Sequence, residues 1–493
     1  MKDVDLRKKT VKGVTWTIAS QAARLLINLV VMVILAHLLN PKDFGLIAMV
    51  AVFSNFFFLL NDLGIPSAII QKKDVTEVDL SSAFWVNLFE GLLITGLFLV
   101  LAPVIAGFYS KSVLKPIIMV MSMLFTISSL GMIQSALFSR KMNFKTLAIV
   151  EIVSAALGGG VAVTLAATGF GVWSIVFQLL TNALVLAVLL FSLSEWRPRL
   201  ILRWQPTRRL LGFGLPLLGF NFVNYFNRNL DNLLIGKYLG ARQLGYYDVA
   251  YKSLLFPLQN VSSVIGRVMF PALSKLEEDK ARVRAAYIRA TQYIAVITFP
   301  LMAGLAVLAP QLVRAALGPK WERAIFLVQV LALIGGLQSL YTTMGWIYLS
   351  QGRTGVLFVF GVVMAVVYAG AFVVGLHWQV EGVAVAYVIA FLVLLYPYYA
   401  IPFKFIDMKV WYYAKQFKAI ALATVGMAAV MVGFRFLFER VLGLGDIVIL
   451  ISVSIIGATC YLGLMLLLDK TFIGGLLRTA REIVSPEAPS KDL

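Results

Sequence analysis

Two segments of the chain, HLLNPKDFGLIAMV at 37–50 and KYLGARQLGYYDVA at 237–250, match each other at an offset of 200 residues. Each segment reads as the end of one helix, a tight turn ending in Gly45 or Gly245, and the start of the next helix. Weaker matches follow in the same order, and the offset drifts as small loop insertions would cause. We therefore predict two copies of one six-helix unit. Chance similarity between apolar segments is the alternative.

The composition places these helices in a membrane. Hydrophobic residues make up 60% of the 493 residues, charged residues make up only 14%, and the mean hydropathy is +0.88. Apolar stretches long enough to cross a bilayer as helices recur along the chain, and we count about 14 of them. Strands of a membrane barrel would be shorter and would alternate in polarity. We predict an all-α polytopic membrane protein with about 14 transmembrane helices.

The repeat also predicts how the helices are grouped. Because six is an even number, both copies would enter the membrane from the same side and form two parallel six-helix lobes around a central cavity, as in many transporters. Two extra helices follow the second lobe. The predicted domains are an N-lobe (1–194), a basic cytoplasmic linker (195–209), a C-lobe (210–404), the two extra helices (405–470) and a cytoplasmic tail (471–493).

The net charge of +19 raises the question of nucleic-acid binding, which the distribution of the charges answers. Most of the 43 lysines and arginines fall at the termini and in the even-numbered loops between predicted helices. This bias follows the positive-inside rule, so we predict that both termini lie in the cytoplasm and that no nucleic acid is bound. Lys8, Lys9 and Lys12 precede the first span as in a signal peptide, but that span is too long, and we expect it to be retained.

Residue types that build metal sites and catalytic sites are scarce. Cys460 is the only cysteine, and the two histidines, His37 and His377, lie in different predicted spans, so no cluster has metal-ligand spacing. The predicted outer loops are short, and we find no nucleophile beside a base. We therefore predict a transporter rather than an enzyme, with no catalytic residues, no metal and no cofactor.

Polar side chains nevertheless occur within predicted spans. In the seventh span, at 210–238, one helical face within about 100° of arc carries Asn221, Asn224, Arg228, Asp231 and Asn232. The repeat offset aligns this face with a matching face of the first span, formed by Gln21, Arg24 and Asn28. Each lobe therefore presents one arginine with an asparagine one turn away.

The two arginines are the strongest candidates for a binding site. An arginine near the bilayer centre costs about 2.5–3.5 kcal/mol on insertion scales, so it normally faces the bundle interior or a watery cavity. Arg24 and Arg228 both fall near the predicted midplane. We predict that they bind an anionic substrate together with the neighbouring amides, Gln21, Asn28, Asn221 and Asn224. The alternative is that each arginine pairs with a neighbouring helix, and Arg228 could pair with Asp231.

The eighth predicted span adds charges that the first lobe lacks. Asp248 and Lys252 are one helical turn apart, and we expect an ion pair between them. Arg267 lies toward the cytoplasmic end of the same span, whereas the N-lobe positions that match the pair are Ala48 and Val52. We predict that Lys252 and Arg267 extend the series of substrate-binding cations. A structural pair and a snorkelling arginine are the alternative.

Acidic residues within the spans are candidates for ion coupling, because a desolvated carboxylate can take up a proton near neutral pH. Glu90 in the third predicted span is the most deeply placed and is our first candidate. Asp231 and Asp248 could serve the same purpose or could hold a neighbouring cation in place. Asp62 and Glu151 lie nearer the cytoplasmic helix ends, where we expect structural or interfacial roles.

The chain resembles one family of membrane proteins, the bacterial polysaccharide exporters, which are Wzx-type flippases of lipid-linked oligosaccharides and include the colanic acid exporter. The similarity lies in RNLDNLLIGKYLGARQLGYYDVAYK (228–252), KGVTWTIASQAARLLINL (12–29), LNPKDFGLIA (39–48) and DLGIPSAIIQ (62–71). It covers most of the first twelve spans and is most specific around Arg228. This family belongs to the multidrug, oligosaccharidyl-lipid and polysaccharide (MOP) transporter superfamily.

The resemblance implies a function as well as a V-shaped pair of six-helix lobes. Such proteins flip undecaprenyl-diphosphate-linked oligosaccharide from the cytoplasmic to the outer leaflet of the bacterial inner membrane by alternating access, for surface polysaccharide biosynthesis. A proton or sodium gradient, or the membrane potential, would drive the cycle. The expected partners are the lipid-linked oligosaccharide, membrane lipids and, as a candidate, the polysaccharide polymerase machinery, with the chain acting as a monomer.

Other activities would require a different pattern of residues. A flippase for the lipid-linked peptidoglycan precursor is the nearest alternative, because it would bind the same carrier with the same kind of cationic cavity. A drug or cation antiporter of the superfamily would favour an acidic cavity, whereas the paired central residues here are arginines. An envelope ligase or polymerase would need a large outer loop with catalytic polar residues, and we predict no such loop.

Overall fold

The structure is a computed structural model, and it describes residues 2–61, 65–71, 74–201, 225, 229–276, 278–470 and 474–475. Within those ranges the backbone forms helices, turns and irregular connections, without a β-strand. The all-α prediction is confirmed for this part of the chain.

The first half of the described chain consists of long helices joined by short connections. Helix starts follow from the local sequence: the Thr76 hydroxyl accepts a hydrogen bond from the backbone N–H of Asp79, whose carboxylate accepts one from the Thr76 N–H. The helices are α1 (Lys2–Leu38), α2 (Pro41–Asn61), α3 (Ile65–Gln71), α4 (Glu77–Phe108), α5 (Leu114–Met121), α6 (Met123–Arg140), α7 (Phe144–Ala167) and α8 (Val172–Leu193).

The second half begins with helical residues 229–234, which continue into a π-helical turn, Ile235–Leu239. That turn ends at Gly240, whose φ of 84° lies in the region that glycine adopts readily. The helices that follow are α9 (Ala241–Lys275), α10 (Lys280–Leu312), α11 (Glu322–Tyr341), α12 (Met344–Ser350), α13 (Thr354–Gly375), α14 (Gln379–Phe403), α15 (Val410–Lys415), α16 (Lys418–Phe436) and α17 (Asp446–Leu468).

Eleven helical segments in the described part of the chain are long and apolar enough to span a membrane. They correspond to predicted spans 1 to 6, 9, 10, 13 and 14, and one continuous segment, Thr354–Ile406, contains predicted spans 11 and 12. Predicted span 7 begins outside the described residues, and predicted span 8 coincides with α9, which has a more polar sequence. The multi-span membrane fold is therefore confirmed, while the total of 14 stays a prediction.

The chain forms two compact units, Met1–Gly245 and Tyr246–Leu493. The N-terminal unit thus includes residues 229–239 at the end of predicted span 7. The predicted domain boundaries stay predictions, because residues 202–224, which contain much of the predicted linker, lie outside the described residues.

In the N-terminal unit, α1 and α7 pack closely because a small residue faces a larger one. A β-carbon placed on Gly159 of α7 would lie 2.5 Å from the side chain of Val31. Val31 and Ala162 are buried in the same hydrophobic cluster. This packing determines which face of α1 is covered, and it places Arg24 at the edge of the covered face.

In the C-terminal unit, the two extra helices α16 and α17 pack on α10. Met427 and Met431 of α16 and Val453 of α17 belong to the buried core of this unit. The hydroxyl of Tyr461 donates to the carbonyl of Val296 at 3.0 Å, which ties α17 to α10. The helices outside the repeat are therefore an integral part of this unit.

Candidate functional site

Arg24, the first predicted binding residue, contacts an acid on a neighbouring helix. Its Nη1 lies 3.3 Å from Oε2 of Glu151 on α7, and both side chains are partly exposed. The Nε–H of Arg24 is buried and makes no hydrogen bond with any described residue. Because a guanidinium has five N–H donors, the contact with Glu151 leaves donors that can bind an anion.

Gln21 and Asn28 lie on either side of Arg24 along α1, each about one helical turn away. Both side chains are exposed, because the packing against α7 covers another part of the helix surface. The structure therefore brings three predicted residues together on one helix and adds Glu151 to them. Sequence reasoning assigned Glu151 a structural role but missed its partner, since the two residues lie far apart along the chain.

The second predicted arginine face lies only partly within the described residues. Residues that lie outside the described ranges are Asn221, Asn224 and Arg228. For Arg267, only the helical backbone within α9 is described. The roles of these four residues stay predictions.

Asp231 belongs to the same predicted face and is described. It is buried, and its Oδ1 accepts a hydrogen bond from the backbone N–H of Asn232 at 2.8 Å. Six residues earlier in predicted span 7, the hydroxyl of Tyr225 donates to the carbonyl of Val52 at 2.6 Å, which ties this residue to α2. The carboxylate of Asp231 is therefore enclosed by protein.

The ion pair predicted between Asp248 and Lys252 is confirmed. Lys252 Nζ lies 2.7 Å from Asp248 Oδ2, and the Asp248 side chain is 11% exposed whereas that of Lys252 is 59% exposed. The acid is thus enclosed, while the ammonium keeps donors on its open side. The matching positions in the first lobe, Ala48 and Val52, are buried and apolar. The pair belongs to the C-terminal unit, and its part in substrate binding stays a prediction.

Glu90 borders a seam of polar contacts between α4 and α6. In this seam Asn87 Nδ2 donates to the carbonyl of Ser129 at 3.0 Å, and the hydroxyls of Thr95 and Thr126 are 2.8 Å apart. Asn87 is fully buried, and its amide oxygen has no partner among the described residues. Sequence reasoning missed Asn87, although its position one turn before Glu90 was a usable signal.

A network of four charges joins the ends of α10, α16 and α17. Arg314 Nη1 lies 3.3 Å from Asp446 Oδ1 and 3.7 Å from Glu439 Oε1. Arg435 Nε lies 3.7 Å from Glu439 Oε2, and Gln311 donates to the same oxygen at 3.1 Å. Because two cations balance two acids, the network is suited to holding the extra helices on α10 rather than to binding a charged substrate.

Metal-ligating side chains are dispersed in the part of the chain that the structure describes, where no group of three or more His, Cys, Asp or Glu residues could hold a metal ion. Two separate sets of polar groups are described: a cation with two amides on α1 of the N-terminal unit, and a lysine on α9 of the C-terminal unit. Their chemistry is electrostatic attraction and hydrogen bonding to an anion.

Comparison with known sequences relates the chain to proteins of polysaccharide synthesis. Residues 34–326 match the model of a family described as polysaccharide biosynthesis protein. The chain is 28% identical to the teichuronic acid biosynthesis protein TuaB of Bacillus subtilis (strain 168), over 72% of this chain and 74% of that protein. It is also 28% identical to the lipopolysaccharide biosynthesis protein WzxC of Escherichia coli (strain K12), over 76% of each chain. Identity to the succinoglycan biosynthesis transport protein ExoT of Rhizobium meliloti (strain 1021) is 29%, over 75% of this chain and 74% of that protein.

Comparison with solved structures identifies the fold. The lipid II flippase MurJ in an inward closed conformation superposes with a TM-score of 0.74 at 17% identity, covering 93% of this chain and 100% of that one. An inward-facing multidrug resistance MATE family transporter of the MOP superfamily superposes with a TM-score of 0.62 at 15% identity, covering 78% of this chain and 94% of that one. The chain therefore has the fold of MOP superfamily transporters.

Proposed function

This chain belongs to the polysaccharide biosynthesis protein family, and on that premise we propose that it is a flippase for undecaprenyl-diphosphate-linked oligosaccharide. It moves this lipid from the cytoplasmic to the outer leaflet by alternating access and so supplies surface polysaccharide biosynthesis. Support comes from relatives named for teichuronic acid, lipopolysaccharide and succinoglycan biosynthesis, one of which is called a transport protein.

The main support for the proposal is the guanidinium of Arg24, which lies within a membrane-spanning helix and uses only some of its N–H donors. Arg24 lies about 21 Å from the end of α1 at Leu38, at 1.5 Å per residue. A cation at this depth is costly to the fold, so it is expected to serve a function. Glu151 contacts one nitrogen of the guanidinium. The remaining N–H donors can replace the water that a diphosphate loses as it enters the membrane.

The neighbouring residues extend this role along the substrate. Gln21 and Asn28 are exposed beside Arg24 and can bond phosphate oxygens or sugar hydroxyls. We assign the same roles to Asn221, Asn224 and Arg228 of predicted span 7, with Lys252 and Arg267 as further cations. The polyprenyl tail needs no polar path, because it can stay in the hydrocarbon of the bilayer.

Energy for the cycle comes from a proton or sodium gradient in this proposal. Glu90 is the coupling residue that we favour, because it lies within the span formed by α4 and borders the polar seam with α6. Asp231 and Asp248 are enclosed carboxylates that either couple to the ion or hold a cation in place. No cofactor and no catalysis are involved.

A flippase for lipid-linked peptidoglycan precursor is the second candidate function. The fold shared with the lipid II flippase MurJ supports it, and the diphosphate carrier would engage the same cations. The family and the relatives favour polysaccharide instead, because both are described by polysaccharide biosynthesis. A drug or cation antiporter is disfavoured, because Arg24 and Lys252 would repel a cationic cargo.

We also propose where the protein is located in the cell. We place the protein in the bacterial inner membrane with both termini in the cytoplasm, because lysines and arginines are concentrated in the termini and even-numbered loops. It acts as a monomer among membrane lipids and delivers its product to the polysaccharide polymerase machinery.

Deletion of the gene, followed by complementation, tests the proposed function. We expect the deletion strain to lose its surface polysaccharide and to accumulate lipid-linked oligosaccharide, and we expect the wild-type gene to restore export. Normal surface polysaccharide in the deletion strain would overturn the proposal. Arrest of peptidoglycan synthesis in that strain would favour the second candidate function.

A further inference from the structure

A connected set of amide and phenol groups lies between α11, α13 and α14 of the C-terminal unit. Gln338 Nε2 donates to the hydroxyl of Tyr387 at 3.1 Å. The ring of Tyr387 lies 5.3 Å from that of Tyr368, whose hydroxyl is 3.1 Å from the hydroxyl of Tyr398. The ring of Tyr341 lies 4.0 Å from that of Tyr398. We refer to these five residues as the Gln338–tyrosine cluster.

The cluster faces the protein interior rather than lipid. At 100° per residue, Tyr368 lies on the side of α13 opposite Val366, which is highly exposed. Tyr387 likewise lies on the side of α14 opposite Tyr396, which is also exposed. Apolar and aromatic residues exposed on membrane helices contact lipid, so the opposite faces point inward. Tyr341, Tyr368 and Tyr387 are only half-buried, so part of each side chain stays accessible.

One atom of the cluster has no hydrogen-bond partner among the described residues. Gln338 is 8% exposed, and its amide oxygen is buried without a hydrogen bond from any described residue. A buried acceptor without a donor destabilises a fold, and such atoms are rare in native proteins. A ligand hydroxyl would supply the missing donor.

The side chains of the cluster suit some classes of ligand better than others. A lipid tail offers no hydrogen-bond donor, and a phosphate or metal ion would require charged side chains, which the cluster lacks. A sugar presents hydroxyl donors together with apolar C–H faces. The phenol rings match those apolar faces, and the Gln338 oxygen and the tyrosine hydroxyls match the hydroxyls.

We propose that the Gln338–tyrosine cluster contacts the glycan of the transported lipid, with the Gln338 amide oxygen accepting a hydrogen bond from a sugar hydroxyl. This inference rests on the proposed function, because it requires a glycan on the substrate. In this proposal two sets of residues recognise the substrate. The cations bind the diphosphate that every such substrate carries, and the Gln338–tyrosine cluster binds the sugar, which differs between substrates.

Binding to the purified full-length protein tests this inference with two probes. The first probe is the lipid-linked oligosaccharide that accumulates in the deletion strain, and the second is undecaprenyl diphosphate, which carries no sugar. Gln338→Met keeps the size of the side chain and removes its amide. We expect it to bind the glycan-bearing probe about tenfold more weakly and undecaprenyl diphosphate as tightly as wild type. Its unfolding temperature should stay close to that of wild type, because loss of the unpaired oxygen offsets loss of the hydrogen bond from Gln338 Nε2 to Tyr387.

Two tyrosine variants complete the experiment. Tyr368→Phe should weaken binding of the glycan-bearing probe alone, whereas Tyr396→Phe, on the exposed side of α14, should bind both probes as wild type does. Wild-type affinity of Gln338→Met for the glycan-bearing probe would overturn this inference and leave the proposed function intact. Equal weakening for both probes with a lower unfolding temperature would also overturn it, in favour of a structural role. Failure of the wild-type protein to bind either probe would overturn the proposed function, and this inference with it.

Discussion

Gly45 and Gly245 lie backbone against backbone within the N-terminal unit. A β-carbon placed on Gly45 would lie 2.9 Å from the amide nitrogen of Gly245, and one placed on Gly245 would lie 3.2 Å from the amide nitrogen of Gly45. The two residues occupy matching positions in the predicted internal repeat. The backbones of the two turns therefore contact each other at these glycines. The space between them holds the hydrogen atom of a glycine but not the methyl group of an alanine.

Gly45→Ala should destabilise the fold severely. The added β-carbon would overlap the carbonyl oxygen of Ala241, and a backbone atom in a packed helix start cannot move aside as a flexible side chain can. We expect the free energy of unfolding to fall by about 3 kcal/mol or more. Thermal unfolding of the purified protein in detergent measures the effect.

Gly96→Ala is the matched control, because a β-carbon at this exposed position of α4 would meet no atom within 4 Å. Alanine in a helix interior is about 0.5–1 kcal/mol more favourable than glycine, so this variant should be at least as stable as wild type. Equal unfolding temperatures for the two alanine variants would contradict the close contact at Gly45.

Paired substitutions separate the binding role of Arg24 from its structural role. Arg24→Met leaves Glu151 as an uncompensated charge and should lower stability, whereas Arg24→Met combined with Glu151→Met removes both charges and should restore it. If Arg24 binds the diphosphate, the stable double variant should still export at least about tenfold less surface polysaccharide than wild type. Wild-type export by the double variant would show that Arg24 serves only to pair with Glu151.

Glu90→Gln should uncouple transport from the ion gradient. Glutamine keeps the size of the side chain and one acceptor oxygen but cannot take up a proton near neutral pH. In proteoliposomes, we expect transfer by this variant to respond to an imposed proton or sodium gradient at least about tenfold less than transfer by wild type. Glu195→Gln, in a well-exposed pair with Lys141, is the control and should keep the full response. An undiminished response in Glu90→Gln would remove this residue as the coupling site.

Arg314→Ala should loosen the two extra helices. Arg314 contacts both Glu439 and Asp446 in a half-buried network, so its removal takes the cation from Asp446 and leaves Glu439 paired with Arg435 alone. We expect a loss of about 1–3 kcal/mol in the free energy of unfolding, between the values for exposed and buried pairs. Lys280→Ala breaks a more exposed pair with Asp407 and should change stability by about 0.5 kcal/mol or less. Similar unfolding temperatures for both variants would mean that the network does not hold α16 and α17.

The membrane-spanning helices could be predicted from the sequence because the signal is local. The length of an apolar stretch decides whether it can cross a bilayer, and every segment found in the described residues was predicted. The Asp248–Lys252 pair was predictable for the same reason, since both residues lie on one helix and the spacing alone brings them together.

Contacts between helices could not be predicted in this way. The pairing of Arg24 with Glu151 depends on how α1 packs against α7, and no pattern in either helix identifies the other as its neighbour. The four-charge network around Arg314 likewise joins residues more than a hundred positions apart. The sequence also gives no signal for the Gln338–tyrosine cluster, because only the assembled helices show that the hydroxyls of Tyr368 and Tyr398 meet.

Leaflet transfer by the reconstituted protein tests the proposed function most directly. Proteoliposomes that contain only this chain would be loaded with the lipid-linked oligosaccharide from the deletion strain, and its appearance in the opposite leaflet would be followed with and without an imposed ion gradient. We predict gradient-dependent transfer by the wild-type protein and none above protein-free vesicles by Arg24→Met. Wild-type transfer no faster than in protein-free vesicles would contradict the assignment as a flippase.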